Sequence, residues 1–76
     1  MIEIKFEGLD FFGRPIFKSL KTESRYGSTD ILFNDYVTEQ EVLKKITEKD
    51  LCYFGNSFGC EPMGDFVTNI KIKRIQ

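Results

Sequence analysis

The chain has 76 residues, 41% of them hydrophobic and 30% charged, with eleven basic and twelve acidic side chains and a net charge of −1. That balance sets the expectation of one small globular domain, 1–76, and excludes a disordered or membrane-embedded composition as well as a global field toward nucleic acid or anionic lipid. There is no histidine and no tryptophan, and the only cysteines are Cys52 and Cys60, so the usual neutral-pH acid–base group is missing and a closed four-ligand Cys/His zinc site cannot be completed within the chain.

Residues 2–7 alternate, with Ile2, Ile4 and Phe6 on one side and Glu3, Lys5 and Glu7 on the other, which predicts a half-buried strand. A turn follows over 8–15 and a second, less regular strand over 16–20. Residues 21–29 are polar and read as a loop. The run Ile31, Leu32, Phe33 reads as a short buried strand.

A helix is predicted over 38–50. Thr38 and Glu41 have the capping-box spacing, and Val37 and Val42 are placed for a hydrophobic staple. Glu39 and Glu41 stand at the positive end of the macrodipole and Lys44, Lys45 and Lys49 further along, a favourable order. Val42, Leu43 and Ile46 form a narrow apolar stripe suited to covering a sheet.

Residues 51–54 are apolar and fit a buried strand or the return from the helix. Gly55, Gly59, Pro62 and Gly64 punctuate a long loop over 55–65. A last strand is predicted over 66–73, burying Phe66, Thr68, Ile70 and Ile72. Its Lys71 and Lys73 complement Glu3 and Glu7 of the first strand, which suggests that the terminal strands are neighbours. Ile4, Phe6, Ile46, Ile70 and Ile72 are expected to share one core.

The fold class is therefore α+β, with a small, mostly antiparallel sheet of three to five strands packed on one helix at 38–50. The β-β-α-β outline resembles a β-grasp-like sheet in layout, although the span between the first hairpin and the helix is long for it. A likeness of layout implies no function.

The segment Phe11-Phe12-Gly13-Arg14-Pro15 places two aromatics in one short connection, where both cannot turn inward, next to an arginine. Such residues are enriched at binding hot spots. The loop at 55–65 adds Phe58 and Met63, an aromatic and a flexible thioether favoured at interfaces. It lacks the Lys-Ser/Thr of a P-loop and does not open a helix, so it is no phosphate cradle. Cys52 reads as a small buried hydrophobe and Cys60 as a thiol without a histidine to activate it.

Phe11, Phe12, Arg14, Phe58 and Met63 are thus the candidate interaction residues of a protein-binding or regulatory module with no evident catalytic site. Two alternatives remain. Lys5, Lys71, Lys73 and Arg74 could serve a nucleic-acid-associated protein through a basic C-terminal strand, and loop carboxylates Asp30, Asp35, Glu61 or Asp65 could serve a small enzyme. No cofactor or metal is implied, and a protein partner or self-association is the expected contact. The first twelve residues carry Glu3, Glu7 and Asp10 without a long apolar run, and two cysteines are too few for a disulfide framework, so a cytoplasmic setting is expected.

Overall fold

Five strands make one sheet in the computed structural model, which describes residues 1–56 and 66–74. In chain order the elements are β1 (Ile2–Leu9), β2 (Pro15–Ser19), β3 (Arg25–Gly27), α1 (Glu39–Lys45), a 3-10 turn (Glu48–Asp50), β4 (Cys52–Gly55) and β5 (Ile70–Ile72). The strands lie in the order β4-β3-β2-β1-β5. β1 pairs antiparallel with β2, β2 with β3 and β3 with β4, while β5 runs parallel to β1. The sheet is mixed and curled, where mostly antiparallel pairing was expected. α1 stands in the chain between β3 and β4, which are neighbours, whereas β5 follows β4 in sequence but lies at the opposite edge of the sheet, beside β1, so the parallel pair needs a crossover and not a tight turn.

The terminal strands are indeed neighbours. Ile2 stands opposite Ile70, Glu3 opposite Lys71 and Ile4 opposite Ile72, so each apolar residue meets an apolar one and the single charged pair is of opposite sign. Ile4, Ile46, Ile70 and Ile72 are buried in one cluster with Phe17, Tyr26, Val42, Leu43 and Leu51, and Phe6 packs against it. This is the core that the alternation predicted.

The helix is shorter than the predicted 38–50. It begins as expected: the Thr38 side chain accepts from Glu41 N–H at 3.2 Å and the Glu41 carboxylate accepts from Thr38 N–H at 3.4 Å. It ends at Lys45, where Ile46 turns to an extended conformation and is fully buried. Thr47 and Asp50 then form a second cap, with Thr47 N–H donating to Asp50 at 2.8 Å, and open the 3-10 turn. Two β-branched residues, Ile46 and Thr47, and a rival capping signal three residues before Asp50 break the helix where its lysine-rich composition would have let it continue.

Three further expectations are corrected. The segment read as a loop over 21–29 contains β3. Its entry is a tight polar turn in which Ser19 Oγ accepts from Lys21 and Thr22 N–H, both at 3.2 Å. Residues 31–33 form no strand: the segment joins no ladder, its Phe33 N–H donates to Gly13 O, and Leu32 faces solvent between Ile31 and Phe33, which pack on the core. The last strand keeps only Ile70–Ile72. Phe66 is exposed and makes a single bridge to Cys52, and Thr68 is exposed.

A second cluster, Ile16, Cys52 and Phe54, lies on the face opposite Tyr26. Gly27 permits it: a Cβ there would stand 3.1 Å from Ile16 Cδ1, 3.2 Å from Phe54 Cε1 and 2.7 Å from Pro15 O, so any side chain would push the two residues apart.

Candidate functional site

The connection between β1 and β2 is built around one carboxylate. Asp10 is buried and accepts from Phe12 N–H at 2.9 Å and from Arg14 N–H at 2.8 Å, and its other oxygen pairs with Arg14 Nε. Backbone bonds close the same turn, with Asp10 N–H donating to Arg14 O at 3.0 Å and Gly13 N–H to Asp10 O at 3.1 Å. An aspartate in a turn commonly takes N–H groups that no strand partner reaches. Gly13 has φ +83°, in the left-handed region, and a Cβ there would lie 2.5 Å from Phe33 O, so both conformation and space require glycine.

On this fixed backbone the phenyl rings point outward. Phe11 is 96% exposed and Phe12 62% exposed, and they meet edge to face with centroids 5.6 Å apart. The Arg14 guanidinium lies 5.0 Å from the Phe12 ring centre and 5.1 Å from that of Phe54. It therefore joins the exposed aromatic to the second cluster as well as to Asp10. The sequence reading expected one of the two rings in solvent, and both are there. Phe58 and Met63, with Cys60, Glu61 and Asp65, lie outside the described residues.

The basic alternative is dispersed. Lys71 stands opposite Glu3, and Lys5 stands opposite Lys18, which itself pairs with Glu23 at 3.7 Å. Further along the outer face, Glu7 makes a two-point bond with Arg25 at 2.9 and 3.0 Å. Arg74 donates to Leu43 O and, at 3.2 Å, to Ile46 O, and lies 3.7 Å from Glu48. It serves as a cap on the last carbonyls of α1. Lys73 is exposed, and its N–H donates to Ile4 O at 2.7 Å. Charges of both signs therefore interleave on this face, and Arg74 has a structural task.

The loop carboxylates within the described residues, Asp30 and Asp35, are both exposed. Among the described residues no three His, Cys, Asp or Glu side chains converge as metal ligands, and no helix is long and apolar enough to cross a membrane. Cys52 is a free, buried thiol whose pKa is pushed up, first by burial and then by the charge of Asp30, with Arg14 opposing.

Sequence reasoning missed Leu32 and Tyr36, which are 58% and 93% exposed. Leu32 was hidden by its place in an apolar triplet, and Tyr36 by standing alone before the helix cap. The available signal was Asn34-Asp35, a turn-forming pair; Asn34 Oδ1 accepts from Tyr36 N–H at 2.9 Å. Comparison with protein-family models, curated proteins and solved structures finds no match to this chain.

Proposed function

We propose that this chain is a small protein-binding or regulatory module that engages its partner through the turn at 10–15, with a cytoplasmic setting and no catalytic step. The observation that carries the reading is the pairing of two outward phenyl rings with a turn whose backbone is locked by Asp10 and Gly13. Exposed aromatics on a mobile loop would lose much of their binding energy to ordering; on a fixed turn that cost is already met in folding. Arginine beside aromatic rings is also the composition of interface anchors.

The sheet edges support contact through side chains instead of strand addition. Ile72 N–H is covered by Glu48, which accepts from it at 3.0 Å, and β4 is bridged at its first residue, Cys52, by Phe66, while Val67 N–H donates to Leu51 O just before the strand at 2.9 Å. Cover at these points discourages strand pairing with another chain there.

The test is affinity capture with three forms of the full chain: wild type, Phe11→Ser/Phe12→Ser and Lys71→Glu/Lys73→Glu. Partners held by the wild type and by the lysine variant but lost with the phenylalanine variant are the expected result. Retention of the same proteins by all three forms would sink the proposal. Salt-sensitive recovery of nucleic acid that only the lysine variant loses would favour the basic-strand alternative.

A further inference from the structure

We infer that the turn at 10–15 is half of a larger, acid-rimmed docking face, whose occupant is a protein segment carrying Lys or Arg beside apolar side chains. The inference rests on the reading of the turn as a protein-binding element and adds the chemistry of what binds there.

The other half is the connection at 30–36. Phe33 N–H donates to Gly13 O at 2.9 Å, which fastens this connection to the turn. Ile31 and Phe33 pack on the core, so Leu32 is turned out, and Tyr36 stands almost wholly in solvent. The connection is anchored on both sides of that contact. Ser28 Oγ accepts from Ile31 N–H at 3.2 Å, and Val37 N–H donates to Asn34 O at 3.1 Å. Four large exposed side chains, Phe11, Phe12, Leu32 and Tyr36, thus stand on two segments that touch each other. Isolated exposed apolar residues are ordinary on a protein surface, whereas a cluster marks an interaction site.

Charge selects the occupant. The groove beside Leu32 and Tyr36 is also lined by Glu41 and Lys45, so three acids stand against one lysine here, and the acids that precede the tyrosine are Asp30 and Asp35, both exposed. Among the described residues no lysine or arginine forms a salt bridge with either. Asp30 lies three positions before Phe33 and Asp35 two positions after it, so chain geometry holds their Cα atoms within roughly 11 and 7 Å of the residue bonded to Gly13. That is about one Debye length, at physiological salt, from the bond that fastens the connection to the turn. The cation of the turn, Arg14, is already engaged by Asp10. A lysine or arginine on the partner would meet both the carboxylates and the exposed ring faces, two interactions that favour cations. A second copy docked by two-fold symmetry would set this acidic rim against itself, and a nucleic acid would bring phosphates to the same carboxylates.

The test pans a phage-displayed random peptide library on the full chain and measures the selected peptides by fluorescence polarisation at low and physiological salt. Peptides combining Lys or Arg with aliphatic or aromatic residues are expected. Their affinity should fall at least about tenfold with Phe12→Ser and with Asp30→Lys/Asp35→Lys, and should weaken as salt rises. The Asp30→Asn/Asp35→Asn pair, with its smaller perturbation of the fold, should give an intermediate loss. Peptides that are acidic or uncharged, depend on Phe12 and ignore both aspartate pairs would overturn the basic occupant while leaving the turn as a binding element. If no selected peptide depended on Phe12, both readings would fall. Sedimentation showing self-association that Phe12→Ser abolishes would assign the face to a second copy and overturn the inference.

Discussion

Asp10 shows how much one side chain organises. Its carboxylate accepts two backbone N–H groups and the Arg14 guanidinium in a setting almost closed to water. Removing it leaves two backbone donors without their acceptor and takes one partner from Arg14, so Asp10→Ala should cost roughly 2 to 5 kcal/mol, with Asp10→Asn, which keeps one acceptor oxygen, losing less. Urea denaturation midpoints of the three chains measure this order. Gly13 is constrained differently, by its positive φ and by the close approach of Phe33 O. Gly13→Ala should cost about 1 to 3 kcal/mol from backbone strain and should also displace the connection at 30–36, seen as altered amide shifts of residues 31–36. An alanine that left both midpoint and shifts unchanged would show that this contact does not hold the two segments together.

At the scale of elements, capping chemistry was legible and competition between caps was not. Thr38 and Glu41 mark the helix start, and Thr38→Ala should cost about 0.5 to 2 kcal/mol, read from the denaturation midpoint. The same sequence rule, applied at Thr47 and Asp50, marks the break that ends α1 five residues before the predicted end. It was obscured by the run of good helix formers around it. β3 left no alternation to read, since a three-residue strand carries one inward side chain, Tyr26, among polar neighbours.

The β5 edge adds a pH-dependent element. Glu48 holds Ile72 N–H and faces Arg74, and its pKa lies below the ordinary carboxylate value, chiefly because of the bond from Ile72. For a carboxyl with a depressed folded pKa, the stabilising contribution is complete above the unfolded value of about 4.3 and disappears as the pH falls through the folded one. Wild type should therefore be more stable than Glu48→Gln at about pH 7, with the difference shrinking toward about pH 3. Denaturation curves of both chains at the two pH values give that difference directly. A gap independent of pH would mean that the edge is held by contacts other than the charged carboxylate.

Across the whole molecule, the division of aromatic residues between inside and outside is what ties fold to function. Phe17 and Phe54 are buried and Phe6 is partly so, whereas Phe11, Phe12 and Phe66 are in solvent. Composition alone could not make that division, because a domain this small uses aromatic rings both to fill its core and to bind. Alternation did assign Ile4, Phe6, Ile70 and Ile72 correctly; it failed for Phe66, where the backbone leaves regular pairing and period two no longer maps to a face, and Leu32 was expected inside only because it stands in an apolar run. The turn at 10–15 was legible as a pair of divergent rings, while its union with the connection at 30–36 depends on the long-range bond between Phe33 and Gly13, which no local pattern encodes. The division makes a whole-molecule prediction. Phe17→Ala should cost about 3 to 5 kcal/mol by removing a ring from the centre of the core, enough to unfold much of a domain with ordinary marginal stability. Phe11→Ser and Phe12→Ser should each change stability by no more than about 0.5 kcal/mol, because they exchange an exposed ring for an exposed hydroxyl. Phe12 is the more demanding half of this comparison, since its ring lies beside Arg14. Thermal and urea unfolding of the three variants decides the matter: a Phe12→Ser chain as unstable as Phe17→Ala would place that ring in the folding core and remove the basis for assigning it to a partner.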